Sequence, residues 1–325
     1  MPKPSQASDA RDTAGVYADL KDLVRLQYKA RGASFLPRQP VTSVLAGRHG
    51  SRLRGRGLNF EEIRRYLPGD DIRTLDWKVT ARLREPHVRV YTEERDRPAI
   101  LLIDQRQSMF FGSRVRMKSV TAAELAALSA WRVLDRGDRV GAIVFDDESL
   151  TEIRPQCSRR TVLQILRETV RRNHALRIDG NTTPSPAMLN RALEQAARLA
   201  KHDSLVVLIG DAMGADDDSV RHVTRMSRHN DVIIGFVYDP LETGIPDAGT
   251  LVVGERDLQM ELDTAKRGLR EGFAKQFEER LAWVTRISRE REAGFLPITT
   301  VEDVAEQARR LLGHRPPKAP ATKST

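Results

Sequence analysis

Short apolar runs alternate with stretches of helical periodicity through the last two thirds of the chain. Each run is strand-sized, which is typical of strands covered on both faces. The four strongest runs are residues 99–104, 140–147, 205–212 and 232–240. Between them, apolar residues recur every three or four positions, the spacing of an amphipathic helix. This alternation predicts a doubly wound, mostly parallel α/β sheet over residues 98–314.

The rest of the chain follows other patterns. Within residues 14–97, a helical stripe over 16–30 precedes a stretch dense in Gly, Arg and Pro, which predicts strands, turns and one short helix. Residues 250–262 predict a strand or hairpin ahead of a long helix. The polar, Pro-bearing tails, residues 1–13 and 315–325, are expected to be disordered.

Composition indicates a soluble globular protein and narrows its partners. The 325 residues are 40% hydrophobic and 30% charged. Residues 1–97 hold 20 Lys/Arg against 13 Asp/Glu, so +7 of the net charge of +9 lies there, which favours an anionic partner. The single cysteine, Cys157, excludes an internal disulfide or a cysteine zinc cluster. No apolar run approaches the roughly 18 residues that cross a bilayer, and the polar N-terminus lacks a secretory pattern. We therefore expect a cytoplasmic protein without membrane insertion.

Oxygen-bearing side chains occur where the predicted strands end. Asp104 and Ser108 follow the first strand, Thr182 lies in a polar loop, and Asp211 follows the strand at 205–210. In doubly wound sheets ligands collect at this edge. Carboxylates and hydroxyls suit Mg²⁺, although such residues also cap helices and satisfy backbone groups. Both interpretations stay open.

The same residues resemble the metal-ion-dependent adhesion site of von Willebrand factor A-type domains, which reads Asp-x-Ser-x-Ser, then a loop Thr, then a loop Asp. Asp104, Ser108, Thr182 and Asp211 match it, whereas Arg106 replaces the first serine. Arg only donates hydrogen bonds and is always charged, so it could balance Asp104 in place of a metal. We therefore expect either no cofactor or a Mg²⁺ ion on the four matching residues.

A second resemblance covers about residues 17–300. The tract Tyr-x-Pro-Gly-Asp-Asp-x-Arg-x-x-Asp-Trp, followed by Glu-Glu-Arg-Asp, closely resembles domain-of-unknown-function family 58. That resemblance implies a bacterial or archaeal accessory protein that partners a MoxR-type AAA+ ATPase, here in a short form without N-terminal membrane helices. The matching residues of this motif segment are Arg65, Tyr66, Pro68, Gly69, Asp70, Asp71, Arg73, Asp76, Trp77, Glu94 and Arg95.

The motif segment has two physical interpretations. Its dense charges of both signs favour an ion-paired lattice built on bidentate Arg–carboxylate contacts. The alternative is a recognition surface for a partner. Arg52, Arg54 and Arg56 could follow a phosphate backbone, but acidic residues lie close by and no set of stacking aromatics accompanies them, so we do not expect nucleic acid as a partner.

No catalytic template fits the chain. The one Gly-rich stretch, residues 54–57, lacks the ending of a phosphate loop, the histidines form no HExxH pair, and Cys157 has no paired histidine motif. The predicted function is a non-enzymatic adaptor or co-chaperone. In that hypothesis the strand-end rim (Asp104, Arg106, Ser108, Thr182 and Asp211) presents a protein-binding face, and the N-terminal segment docks alongside and contacts the ATPase that acts on a client protein. The alternative is a metal-dependent hydrolase that uses Asp104 and Asp211.

Overall fold

The structure is a computed structural model. It describes residues 15–30, 58–93, 97–177, 183–244, 250–255, 258–263, 267–291 and 293–312. The expected disordered tails, Thr182 and the Glu94–Arg95 part of the motif segment lie outside these residues. The chain divides into two compact units: Gln39–Asp96, and an α/β unit formed by the remainder.

A six-stranded sheet forms the centre of the α/β unit in the described residues. Its order is β10-β7-β6-β3-β4-β5, and every neighbouring pair is parallel except β4 and β5. The doubly wound, mostly parallel sheet predicted from the apolar runs is thereby confirmed. The strands are β3 Ala99–Asp104, β4 Val140–Phe145, β5 Leu150–Gln156, β6 Leu205–Gly210, β7 Asp231–Tyr238 and β10 Gly294–Thr299.

Helices cover both faces of this sheet. One face packs against α1 Leu20–Ala30, α3 Lys118–Asp135, α4 Arg159–Asn173 and α9 Val304–Leu311. The other packs against α5 Ala187–Leu199, α6 Asp217–Ser227 and α8 Arg267–Glu290. Strand β3 serves both cores, because Leu101 and Ile103 face the first set of helices and Ile100 and Leu102 face the second. This two-sided burial explains why the strand sequences are apolar without alternation.

Between β7 and β10 the chain adds a short helix, α7 Pro240–Thr243, and an antiparallel hairpin of β8 Thr250–Glu255 and β9 Leu258–Asp263. The hairpin and the long α8 helix after it agree with the sequence prediction. Helix α7 begins with a capping box, in which Asp239 and Glu242 each bond the other's backbone.

The N-terminal helix belongs to the α/β unit, whereas the sequence analysis grouped it with the segment that follows. Leu23 of α1 is buried in the core, and its carbonyl accepts a hydrogen bond from the Trp131 indole at 3.1 Å. The helix begins at Leu20, later than the apolar stripe suggested, because the Asp19 carboxylate accepts the backbone N–H groups of Lys21 and Asp22.

The second unit is small. In its described residues, β1 Leu58–Arg65 pairs antiparallel with β2 His87–Glu93. A 3₁₀ turn, Ile72–Thr74, and helix α2, Trp77–Leu83, connect the two strands. The strands, turn and short helix predicted for this stretch are present in residues 58–93, whereas residues 31–57 lie outside the described part of the chain.

Candidate functional site

The two predicted site carboxylates meet at the switch point of the sheet. The chain runs from β3 outward through β4 and β5, then returns to β6 on the other side of β3, so the ends of β3 and β6 are neighbours. Asp104 is the last residue of β3, and Asp211 directly follows β6. Gly210 permits this approach, since a Cβ there would lie 2.9 Å from the Asp104 Cβ.

Arg106 fills the space between the two acids. Its Nη2 lies 2.6 Å from Asp104 Oδ2 and 3.8 Å from Asp211 Oδ1, and its Nε lies 3.0 Å from Asp104 Oδ1. Its backbone N–H also donates to Asp104 at 3.0 Å, and Nη1 donates to the Met213 carbonyl at 3.1 Å. The guanidinium stacks 5.6 Å from the Phe145 ring centroid. The predicted pairing of Arg106 with Asp104 is present in the structure.

A second buried cation, Lys118, was missed by the sequence analysis. Its Nζ lies 2.9 Å from Asp211 Oδ2 and 3.0 Å from Glu242 Oε1. Arg280 of α8 approaches the same Glu242 oxygen at 2.8 Å. We call these six residues the strand-end cluster: Asp104, Arg106, Lys118, Asp211, Glu242 and Arg280. Three carboxylates face three cations in it, so its formal charge is zero.

The cluster shifts the protonation of its members. Although burial opposes the change, the charges of Lys118 and Arg106 hold the pKa of Asp211 well below its usual range. Burial and the negative charge of Asp211 raise the pKa of Asp104, against the lowering effect of Arg106. The pKa of Lys118 is raised by Asp211 and Glu242 despite its burial. Lys118 therefore stays protonated at neutral pH.

Neighbouring polar groups hold the loops around the cluster. The Asp147 carboxylate accepts the backbone N–H of Gln107 at 2.6 Å and that of Ser185 at 2.7 Å, so it ties the loops after β3 and before α5 together. Ser108 Oγ is buried and has no hydrogen-bond partner among the described residues. It is the one predicted ligand hydroxyl whose position the structure gives.

The strand-end cluster does not fit a Mg²⁺ ion. Mg²⁺ requires oxygen ligands at short distance in nearly octahedral geometry. Here the lone pairs of Asp104 point to a guanidinium and those of Asp211 to an ammonium and a backbone N–H. In the described parts of the chain, no three His, Cys, Asp or Glu side chains converge as a metal site would need. The expectation that Arg106 balances Asp104 is the one that agrees with these contacts.

Burial corrects one expectation about this site. Asp104, Arg106 and Asp211 are 1%, 2% and 0% exposed, so their side chains cannot themselves contact a partner. Such burial is tolerable only because each charge is paired. Met213, which bonds Arg106 through its carbonyl, is an exposed residue next to the cluster.

The motif segment contains part of the predicted ion-paired lattice. Arg64 forms a bidentate pair with Asp70, with both distances 2.8 Å, and Arg65 pairs with Glu85 at 2.5 Å. Bonding to Arg64 lowers the pKa of Asp70. Pro68 and Gly69 form the predicted turn, in which Gly69 has a φ of +109°.

Asp76 organises the other half of the motif segment. Its Oδ1 accepts the backbone N–H groups of Lys78 and Val79 and thereby caps α2, while its Oδ2 lies 2.7 Å from Arg89 Nε on β2. Bonding to Arg89 lowers the pKa of Asp76. Trp77, directly after this anchor, is 69% exposed. Arg73 is also exposed and has no ion pair among the described residues, so the lattice does not include it.

The sheet order and the site define the class of this chain: a doubly wound, mostly parallel α/β domain, whose strand-end acids are neutralised by its own side chains, with a small additional unit. A family model described as protein of unknown function DUF58 matches residues 62–282. The chain belongs to that family, and the resemblance noted in the sequence is confirmed.

Curated relatives match the chain over most of its length and most of theirs. Uncharacterized proteins of Mycobacterium tuberculosis and Mycobacterium bovis are 28% identical over 273 residues, which cover 82% of this chain and 82% of theirs.

Three solved structures that match the chain are each 12% identical to it. The conserved hypothetical protein BatB from Bacteroides thetaiotaomicron matches 66% of this chain and 97% of its own, with a TM-score of 0.39. The SpRpn10 VWA domain matches 65% and 93%, with a TM-score of 0.33. A von Willebrand factor type A protein from Catenulispora acidiphila matches 70% and 42%, with a TM-score of 0.31. The fold assignment rests on the sheet order given above.

Among the described residues, no helix combines the length and the apolar character needed to cross a membrane.

Proposed function

We propose that this protein is a non-enzymatic adaptor of the cytoplasm, which binds protein partners at the exposed surface around the strand-end cluster. The observation that carries the proposal is the charge balance of the cluster. Asp104 and Asp211 are buried and each is bonded to a resident cation, which favours a structural role over that of a nucleophile or general base. What the cluster does instead is hold the loops at the edge of the sheet in one arrangement, as a binding surface needs.

A MoxR-type AAA+ ATPase is the partner we propose, with a client protein as the third component. The support is the motif segment, whose sequence resembles that of proteins which work beside such ATPases. Met213 offers a contact beside the strand-end cluster, because its backbone carbonyl accepts a hydrogen bond from Arg106 and the residue is 44% exposed.

The association can be tested with purified components. The full chain and a MoxR-type ATPase of the same genome are mixed, and binding is measured by interferometry and by coelution on size exclusion, with and without ATP. We expect binding, and we expect Met213→Asp to weaken it at least tenfold. Tyr28→Asp is the matched control, because Tyr28 is also exposed but lies on α1. If binding is absent, or is equally tight for Met213→Asp and Tyr28→Asp, the result contradicts the proposed contact at Met213.

The hydrolase hypothesis predicts a different result. Generic phosphoester and peptide substrates are incubated with the full chain and Mg²⁺ or Mn²⁺. Turnover that disappears in Asp104→Asn, while circular dichroism shows that this variant remains folded, would replace the adaptor with an enzyme. We expect no turnover above that of the metal ions alone.

A further inference from the structure

An apolar cavity lies between one face of the sheet and the helices that cover it, directly beside the strand-end cluster. Residues of β3, β4, β6 and β7 line it on the side of the sheet, and residues of α5, α6 and α8 line it on the other. The cavity has a volume of about 60 Å³ and is partly open. It reaches Asp104 and Gly210, the last residues of β3 and β6, and therefore the switch point at which doubly wound sheets hold their ligands.

The lining of this cavity is apolar in its chemistry. Six of its large side chains are Leu102, Phe145, Leu189, Leu193, Val223 and Trp283. Apart from the indole, the polar side chains of the lining are Asp104 and Ser219, and both are already bonded. Asp104 is paired with Arg106, and the Ser219 hydroxyl donates to Asn190 Oδ1 at 2.6 Å. A charged or strongly polar ligand would lose its hydration here without gaining partners, so the lining favours a hydrocarbon.

The volume of the cavity limits the size of its ligand. One water-sized group needs roughly 10–15 Å³, so the cavity has room for about four to six heavy atoms. Sites for drug-sized ligands and cofactors are larger, roughly 300–1,000 Å³. Water is a poor occupant, because an ordered water needs two to four polar partners. A compact apolar molecule meets both conditions.

The loop between β6 and α6 forms a wall of the cavity that is held in place before a ligand arrives. Ala212 and Ala215 of this loop line the cavity. Between them, the Met213 N–H donates to Asp211 at 2.9 Å, and the Met213 carbonyl accepts from Arg106 at 3.1 Å. A preformed wall lowers the entropic cost of binding, and an apolar guest gains dispersion contacts with it.

We propose that this cavity binds a small uncharged apolar molecule of about four to six heavy atoms, such as a short branched or cyclic hydrocarbon. The driving force is the removal of apolar surface from water on both the ligand and the lining. The proposal does not depend on the adaptor function, because the cavity binds its ligand whether or not a protein partner is present.

The test uses the full chain and bromocyclopentane, whose bromine quenches the fluorescence of an indole that it contacts. This probe has six heavy atoms and no charge, whereas 3-bromopropanoate has the same number of heavy atoms and a carboxylate. We expect bromocyclopentane to quench part of the tryptophan fluorescence saturably, and we expect that part to be absent in Trp283→Phe. The carboxylate probe is expected to quench only in proportion to its concentration, as random collisions do.

Filling the cavity separates binding inside it from binding to the surface of the protein. Ala215→Leu adds carbons to the lining and is expected to weaken the saturable binding at least about tenfold. Leu189→Phe fills the same cavity from α5 and replaces Ala215→Leu if circular dichroism shows that the latter does not fold. Ala282→Leu is the matched control, since it adds the same side chain at an exposed position of α8 beside Trp283, and it should bind as the parent does.

Three results would overturn the proposal. The first is quenching by bromocyclopentane that does not saturate in the parent, or that saturates alike for the carboxylate probe. The second is a folded Ala215→Leu or Leu189→Phe that binds as tightly as Ala282→Leu. The third concerns the peptide acetyl-Gly-Leu-Gly-amide: if it displaces bromocyclopentane and binds more tightly, the cavity takes a side chain of a protein partner and not a free molecule.

Discussion

At the scale of single residues, Arg106 and Lys118 determine what the strand-end site can do. Each occupies the oxygens that a metal would otherwise use, at 2.6 Å from Asp104 and 2.9 Å from Asp211. Removing one partner of a buried ion pair leaves an uncompensated charge, which typically costs about 3–5 kcal/mol of folding free energy. Substitutions at these two positions therefore report directly on the cluster.

Arg106→Ser is expected to lower the unfolding temperature, because Asp104 then lies buried without its cation. Millimolar MgCl₂ should recover part of the loss in the variant and none in the parent, since the new hydroxyl, Ser108 and Asp104 would offer a hard cation its oxygens. Differential scanning calorimetry with NaCl of equal ionic strength as the control measures this. Equal stabilisation of parent and variant by Mg²⁺ would show that Arg106 does not replace a metal.

Lys118→Met is expected to remove about 3 kcal/mol of unfolding free energy at pH 7. In the parent, the lowered pKa of Asp211 contributes stability that is complete above its unfolded pKa and is lost as the pH falls below it. The variant lacks the main cause of that lowering. The difference between parent and variant should therefore shrink as the pH falls from about 5 towards 3.

Urea unfolding across that pH range measures the effect. Lys201→Met, at an exposed position, is the control and should change stability by less than about 0.5 kcal/mol at every pH. A difference between parent and Lys118→Met that stays constant with pH would contradict the assignment of the Asp211 pKa to Lys118.

At the scale of elements, a buried side chain, Asn173, links the N-terminal segment to the centre of the sheet. Asn173, the last residue of α4, accepts the Ala18 N–H at 2.7 Å and donates to the Gln105 side chain at 3.1 Å. Gln105 directly follows Asp104 and in turn donates to the Ser119 carbonyl. The strand-end loops and the start of α1 therefore share one hydrogen-bond chain.

Asn173→Ala is expected to destabilise the protein by about 1–3 kcal/mol, because it removes the acceptor of the buried Ala18 N–H and the donor to the Gln105 side-chain oxygen. The amides of residues 15–30 should then exchange with deuterium faster, measured by mass spectrometry. Asn190→Ala makes the same change on α5, where Asn190 bonds Asp216 and Ser219, and should leave residues 15–30 unaffected. Unchanged exchange in Asn173→Ala would show that other contacts anchor α1.

At the scale of the whole molecule, the fold was largely readable from the sequence. Apolar runs bounded by turns predicted the buried strands because both faces of the sheet are covered, and that arrangement leaves no polar alternation. The packing position of α1 could not be predicted, because an amphipathic stripe indicates that one face of a helix is buried but not which element covers it. Only the structure shows that it packs beside Trp131.

Only part of the strand-end cluster could be predicted from the sequence, for a similar reason. Asp104 and Asp211 were found because strand ends at a switch point converge, and Arg106 because a guanidinium has no lone pair for a metal. Lys118 bonds across 93 positions of sequence to Asp211 and across 124 to Glu242. A lysine at the start of a helix ordinarily points to solvent, so no local pattern distinguishes this one.

The cations that balance the site, Arg106 and Lys118, belong to the chain itself, and this affects how binding at the site could be controlled. Where a bound metal ion balances the acids of a binding site, a chelator can remove that ion, and a rise in calcium or magnesium can restore it. Here the balancing positive charge is part of the polypeptide, so the charge balance of the site is complete once the chain has folded. In the proposed adaptor, binding would then depend on the amount of partner present rather than on a divalent cation at this site.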